Sequence, residues 1–149
     1  MMEKQPKWSG GSLEEIRARL EQFADDRDWH QYHTPRNLVL ALMGEVGELS
    51  EIFQWRGECL PGLPNFTQED RVHLGEELAD VLLYLIRLAD RCGINLPEAA
   101  ADKIVKNGVK YPVALSKGSN KKYDELDSER NVPPITERDS DIVQEASEI

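Results

Sequence analysis

The chain has 149 residues, 40% hydrophobic and 31% charged, with a formal net charge of −10 at pH 7. This length fits one globular domain with its own core. The negative charge argues against binding of long nucleic acids, although a nucleotide can still bind if it arrives with a metal ion. No apolar run approaches the roughly 20 residues that span a bilayer. Residues 1–11 lack the apolar segment of a secretory signal, and no organelle address is visible, so the cytoplasm is the default expectation.

The first two helices are predicted from their start signals. Ser12 and Glu15 fit a capping box, which opens a helix that we expect to extend to about Asp28. Thr34 and Pro35 supply an N-cap and a first-turn proline for the second helix. This helix is predicted to end near residues 56–57, where a loop rich in proline and glycine begins.

The third and fourth helices follow the same rules. Thr67, with Asp70 at the capping-box position, opens the third helix, which runs to about Cys92 before Gly93 stops it. Residues 95–98 begin a fourth helix of about a dozen residues, which ends by residue 108 or slightly later. Four helices without a strand candidate predict an all-α fold, a four-helix bundle subunit.

The predicted domain boundaries follow changes in composition. We expect a flexible N-terminus at residues 1–11, a helical domain at 12–115, and an acidic, mostly disordered tail at 116–149 in which a short helix could form near 139–148. Cys59 and Cys92 are too few and too widely separated for a disulfide framework or a zinc site, and suit plain thiols in a reducing compartment.

Two pairs of acidic residues dominate the helical domain. Glu45 and Glu48 lie on the second helix, and Glu77 and Asp80 lie on the third. A spacing of three residues places both acids of a pair on one helix face, and each pair lies in or beside an apolar stripe. Acids there are costly to desolvate and repel one another, so they hold protons, pair with Arg or Lys, or bind a cation.

The chemistry of these acids indicates which cation would bind. Oxygen ligands with no His or Cys expected nearby favour Mg²⁺, with Mn²⁺ as the alternative. A solvated acidic face is the competing interpretation, and the pattern alone leaves both open.

Other side chains could take part in binding or could simply support the fold. A basic arc on the fourth helix suits phosphate oxygens, but it also suits a solvated helix C-terminus. Two tryptophans flank the helix with the first acid pair and could stack on a base or pack in the core. These candidates are Lys103, Lys106, Asn107, Lys110, Trp29 and Trp55, together with Tyr84 between the third-helix acids and His33 in the turn before the second helix.

The third helix is apolar over about 200° of its circumference, which exceeds the roughly 100° stripe of an ordinary surface helix. Several faces of this helix must therefore pack against other parts of the protein. In a chain of this size the simplest cover is a second subunit, so we expect a homo-oligomer.

The two acid motifs resemble the signature of a known family. EVGE at Glu45–Glu48 followed by ELAD at Glu77–Asp80 resembles the ExxE…ExxD pattern of the all-α nucleoside triphosphate pyrophosphohydrolases, the MazG-like superfamily. The segments FADDRDWHQYHTPRNLVLALMGEVGELSEIFQW, EELADVLLYLIRLADRCGINLP and KIVKNGVKYPV are similar to a eukaryotic branch that acts on dCTP. The resemblance extends from about Leu13 to Lys122.

The resemblance implies an enzyme. It implies Mg²⁺-dependent cleavage between the α- and β-phosphates of a dNTP to give dNMP and pyrophosphate, with dCTP and 5-modified dCTP as substrates and nucleotide-pool sanitation as the role. It also implies a homotetramer, or a homodimer. Leu20 departs from the family pattern, since animal relatives carry a histidine near the base at that position.

The same resemblance assigns roles to individual residues. It makes Glu45, Glu48, Glu77 and Asp80 the catalytic metal ligands, with Glu48 as the first candidate for the general base. The residues that it places at the substrate are Trp29, His33, Trp55, Tyr84, Asn107, Lys110 and Tyr111.

Two other functions compete with this interpretation. One is a house-cleaning pyrophosphatase that acts on dUTP or other non-canonical nucleotides. The other is a non-catalytic helical interaction module whose acids hold a structural metal. A panel of nucleotide substrates separates all three.

Overall fold

The computed structural model describes residues 10–122, and every regular element within that range is a helix. The all-α prediction is therefore confirmed. Residues 1–9 and 123–149, which hold most of the predicted flexible N-terminus and acidic tail and the short helix expected near residues 139–148, lie outside the described residues. The helices are α1 (Leu13–Asp25), α2 (Pro35–Gln54), α3 (Gln68–Arg91), α4 (Leu96–Lys110) and α5 (Val113–Ser116).

The chain divides into two compact units between Leu96 and Pro97. In the first unit, α3 packs extensively against α2 and less extensively against α1. The second unit contains nearly all of α4 and the short helix α5, which the sequence did not predict. Packing of all four long helices in one bundle stays a prediction.

The predicted helix starts are confirmed. The amide of Glu15 donates to Ser12 Oγ at 3.2 Å, and the Ser12 amide donates to Glu15 Oε2. These two hydrogen bonds complete the capping box of α1. Thr34 caps α2 through its hydroxyl, and Pro35 occupies the first turn. At α3, the Asp70 amide donates to Thr67 Oγ1 at 3.1 Å, and Asp70 Oδ2 accepts the Thr67 amide at 2.9 Å.

The helix ends agree less uniformly with the prediction. α1 stops at Asp25 rather than Asp28, because Asp28 takes a left-handed backbone conformation with φ 52° and the Trp29 amide donates to Ala24 O at 2.9 Å. That turn directs the chain away from the helix axis. α3 ends where predicted, since Gly93 has φ 66° and so allows the left-handed turn that closes the helix.

The first unit has a small core and apolar helix faces that remain exposed. No large side chain within residues 10–122 is fully buried. None of the helices between residues 10 and 122 has the length and hydrophobicity of a transmembrane span. The apolar residues that are buried are Ala24, Leu38, Phe66, Leu74, Ile86 and Ala89, and exposed apolar stripes run along α2 (Val39, Met43, Val46) and α3 (Leu78, Leu82, Leu85).

Candidate metal and nucleotide site

Three of the four predicted acids converge where α2 faces α3. Glu45 and Glu48 from α2 and Glu77 from α3 each place one carboxylate oxygen within 4.8 Å of the other two. Glu77 is buried, Glu45 is half-buried and Glu48 is exposed. Carboxylates from two helices therefore meet at a point that is closed on the α3 side and open to solvent at Glu48.

Asp80 lies outside this close group of three oxygens but inside its electrostatic field. The pKa of Glu45 is raised, first by burial and then by the negative charges of Asp80, Glu48 and Glu77. Among these charges that of Asp80 has the largest effect, so Asp80 lies near Glu45 even though its oxygens are not within the cluster. The structure thus brings all four predicted acids into one neighbourhood.

Glu77 holds the atom that best indicates a cation. Its Oε2 is buried and has no hydrogen-bond partner among the described residues. A buried carboxylate oxygen without a donor is costly, and a cation would remove that cost. Three converging carboxylates are a hard-oxygen donor set, which fits Mg²⁺ or a similar divalent ion.

One expectation about this site is wrong. No imidazole was expected near the acids, but His73 Nε2 lies 3.2 Å from Glu77 Oε1. His73 precedes Glu77 by four residues, so the two side chains share one face of α3. The i, i+4 spacing is visible in the sequence and could have revealed this pair.

The aromatic candidates differ in their surroundings. Trp29 packs edge-on against His33, with ring centroids 6.0 Å apart, and against Phe23 at 5.8 Å. This cluster leaves Trp29 42% exposed. Trp55 is the C-cap of α2 and is 87% exposed, without ring contacts among residues 10–122. Tyr84 is half-buried on α3, one turn beyond Asp80.

The predicted phosphate-binding residues lie in the second unit. Asn107 and Lys110 belong to the last turns of α4, and Tyr111 follows directly. The Tyr111 amide donates to Asn107 O at 2.8 Å, and Lys110 Nζ lies 5.9 Å from the centre of the Tyr111 ring. These three residues therefore group at one helix end together with the exposed Lys103 and Lys106, and their approach to the four acids stays a prediction.

One buried cation, Arg87, was not among the residues predicted from the sequence, and it is only 3% exposed. Arg87 lies seven residues after Asp80 and three after Tyr84, so it shares their face of α3. Its position in an apolar helix, on the same face as the acids, is the signal that could have identified it.

A cavity of about 230 Å³ lies in the connection between α2 and α3. Its lining includes Arg56, Cys59 and Phe66 but none of the four acids. It is smaller than the roughly 300–1,000 Å³ that is usual for ligand pockets, so we do not assign it to the substrate.

Comparison with known proteins identifies the family. The sequence model of the MazG-like family matches residues 42–126, a segment that contains all four acids. The chain is also 51% identical over 115 residues to dCTP pyrophosphatase 1 of Mus musculus, which covers 77% of this chain and 68% of that protein. The chain belongs to the MazG-like family. Its similarity to dCTP pyrophosphatase 1 of Homo sapiens is 50% identity over 115 residues, with the same coverage.

A solved structure is also similar to this MazG-like chain. The crystal structure of a pyrophosphatase from Archaeoglobus fulgidus superposes with a TM-score of 0.61 at 39% identity, covering 72% of this chain and 99% of that one. The family match begins at Leu42, so it contains the acid-bearing parts of α2 and α3 but not α1 or the turn with Trp29 and His33. The family signature therefore lies on the helices that hold the carboxylates.

Proposed function

We propose that this MazG-like chain is a Mg²⁺-dependent nucleoside triphosphate pyrophosphohydrolase that converts dCTP, and 5-modified dCTP, to dCMP and pyrophosphate. Its role would be nucleotide-pool sanitation in the cytoplasm. One observation carries this proposal: carboxylates from α2 and α3 converge beside the unpartnered Glu77 Oε2, in a chain about half identical to dCTP pyrophosphatase 1.

The four acids would hold the metal ion. Glu45, Glu48 and Glu77 form the close group, and Asp80 contributes its charge and would complete the set. Mg²⁺ is proposed because all of these donors are hard oxygens, and Mn²⁺ could replace it. When bound, the ion would neutralise the charge of the triphosphate and polarise the reacting phosphorus.

The side chains differ in what they can do around the reacting group. Glu48 is the most exposed carboxylate of the close group, so it can reach bulk water and is the proposed acceptor of the proton of the attacking water. Glu77 is buried and therefore suits a fixed ligand. Breakage of the α–β bond leaves negative charge on pyrophosphate, which Lys110 and Asn107, with Tyr111, are proposed to stabilise.

The base and sugar would be bound by aromatic residues. Trp29 is partly exposed and held by Phe23 and His33, so its ring can stack on a base without first being ordered. Trp55 and Tyr84 are the other proposed contacts. His33 would add a polar group next to Trp29.

We propose that the active form is a homotetramer, with a homodimer as the alternative. Val39, Met43 and Val46 form one exposed stripe on α2, and Leu78, Leu82 and Leu85 form another on α3. Apolar stripes of this kind on adjacent helices mark interaction surfaces, and closed symmetric assembly is the usual way to cover them.

The proposed function is tested by measuring pyrophosphate release from a panel of dNTPs and NTPs with Mg²⁺, with Mn²⁺ and with EDTA. We expect metal-dependent turnover that is fastest with dCTP or a 5-substituted dCTP. Glu45→Gln should lose activity, and Glu51→Gln, a neighbouring exposed acid on α2, should retain it. Turnover led by dUTP would instead indicate a house-cleaning enzyme. No turnover, together with stabilisation by Mg²⁺, would indicate a helical module with a structural metal.

A further inference from the structure

Arg87 is the centre of a buried hydrogen-bond network that joins α3 to the turn before α2. Its Nε donates to His33 Nδ1 at 3.3 Å, and its Nη2 lies 2.9 Å from His30 Nδ1. Its Nη1 donates to Asp90 Oδ2. All three guanidinium nitrogens therefore have a partner.

These contacts determine where the imidazole protons lie. Arginine remains protonated and can only donate, so both Nδ1 atoms must accept. A neutral histidine that accepts at Nδ1 carries its proton on Nε2. His30 supports this assignment independently, because its Nε2 contacts Asp25 Oδ1, an acceptor for that proton.

The guanidinium itself is held in place from two helices. Asp90 on α3 accepts from Arg87 through Oδ2 and from Arg17 Nη1 on α1 through Oδ1, the second bond at 3.1 Å. The Asp90 side chain is only 17% exposed. Because a charged and directional bond fixes the Arg87 plane, the direction of its Nε–H toward His33 is fixed as well.

The groups around His33 all oppose its protonation. Arg87 and Arg91 approach it from α3, with Arg91 Nε donating to His33 O at 3.0 Å, and His30 approaches from the same turn. The pKa of His33 is lowered, first by burial and then by electrostatic interactions with Arg87, His30 and Arg91. The Trp29 ring covers a further side.

We propose that Arg87 is a positioning residue that keeps His33 neutral with its single N–H on Nε2, so that His33 presents a hydrogen-bond donor beside Trp29 to the nucleobase. This rests on the proposed function in one respect, namely that Trp29 and His33 contact the base. The ring carbonyl or an unprotonated ring nitrogen of a pyrimidine would accept from that donor. Arg87 acts through His33 and does not itself touch the substrate.

The first test uses the full, wild-type chain without metal or substrate. The sequence contains three histidines, so ¹H–¹⁵N long-range correlation spectra of their rings can be assigned with His30→Gln and His33→Gln variants. We expect His33 at pH 7 to be neutral, with the proton on Nε2. A proton on Nδ1, or an imidazolium at pH 7, would overturn the proposal. This result does not depend on turnover, so it is distinct from failure of the proposed function.

The second test compares Arg87→Gln with Arg91→Gln as a matched control. In Arg87→Gln we expect the KM for dCTP to rise by about two- to tenfold, the effect of one neutral hydrogen bond, with a smaller change in kcat. The KM should also become pH-dependent near the ordinary pKa of histidine. Arg91→Gln should change the pH profile much less than Arg87→Gln, because Arg91 hydrogen-bonds only the backbone carbonyl of His33 and its charge has the smallest effect on the pKa of that ring.

A buried arginine can be needed for folding, so the outcome does not rest on that variant alone. If Arg87→Gln does not fold, the wild-type ring spectra decide the proposal. If it folds and its His33 ring spectrum and pH profile match those of the wild type, the proposal is wrong.

Discussion

Arg56, just after the end of α2, holds Asp70 in the first turn of α3 through two hydrogen bonds, Nη2 to Oδ1 at 2.6 Å and Nη1 to Oδ2 at 3.3 Å. Asp70 Oδ2 also accepts the Thr67 amide. The guanidinium lies over the Phe66 ring, 4.4 Å from its centre. The Asp70 carboxylate therefore caps the N-terminus of α3 and also bonds this helix to Arg56 at the end of α2.

This contact predicts a specific loss of stability in acid. The pKa of Asp70 is lowered from 3.8 to about 2, first by the Arg56 hydrogen bond and then by the Thr67 bonds. Because the folded pKa lies below the unfolded one, the stabilisation is complete above about pH 3.8 and is lost as the pH falls toward 2. Thermal unfolding of Asp70→Asn between pH 2 and 5 should lack the loss of stability that comes from protonation of Asp70. Glu69→Gln, the exposed neighbour, should retain it, and an unchanged acid profile in Asp70→Asn would contradict the assignment.

Glu77→Gln should separate stability from activity. The substitution keeps the shape of the side chain and removes the charge that is repelled by Glu45 and Glu48, so the metal-free protein should gain about 1 kcal/mol. Turnover should fall by at least about a hundredfold, because a proposed metal ligand is lost. Denaturant unfolding in EDTA and a pyrophosphate-release assay measure the two effects. Glu76→Gln, at the adjacent exposed position, should change neither stability nor turnover. Full activity in Glu77→Gln would show that Glu77 is not part of the site.

The raised pKa of Glu45 predicts how metal stabilisation depends on pH. A carboxyl whose folded pKa lies above its ordinary 4.5 binds more protons in the folded state, so metal-free stability falls as the pH rises through that range. The proposed Mg²⁺ would bind the ionised form of Glu45, so the stabilisation by Mg²⁺ should increase from pH 4 to pH 7. At a hundred times the dissociation constant it should reach about 2.7 kcal/mol. Melting temperatures measured with Mg²⁺ and with EDTA across this pH range test the prediction. In Glu45→Gln the difference between the two melting temperatures should depend much less on pH.

Leu82→Glu should break the proposed homo-oligomer. Leu82 is the middle residue of the exposed α3 stripe, so a charge there would be buried in any contact with a second copy. Light scattering after gel filtration should give the mass of a smaller species. Gln68→Glu places the same charge at the exposed start of α3 and should leave the mass unchanged. An unchanged mass for Leu82→Glu would place the interface elsewhere.

The parts of this structure that follow local rules could be predicted from the sequence. The caps at Ser12, Thr34 and Thr67 depend only on residues within one turn, and so does the grouping of each acid pair on one face. The left-handed turn at Asp28 was missed because an aspartate does not require that conformation, whereas Gly93 favours it strongly.

The rest of the site depends on distances between helices, and the spacing of residues along the sequence carries no information about those distances. Glu77 is buried and joins the close group of oxygens, whereas Asp80, one turn further on, does not. Two of the three partners of Arg87, His30 and His33, are more than fifty residues away in the sequence. The pairing of Arg56 with Asp70 depends on the path of the intervening loop.

All four acids lie on two consecutive helices, between Glu45 and Asp80. Contacts between neighbouring helices close a short loop, so they form early and at low entropic cost during folding. The carboxylates would consequently meet before the chain reaches its final packing, and their repulsion would slow that step in the absence of a cation. Divalent metal present during refolding should therefore act as a folding aid, with its effect on the rate at which α2 and α3 come together.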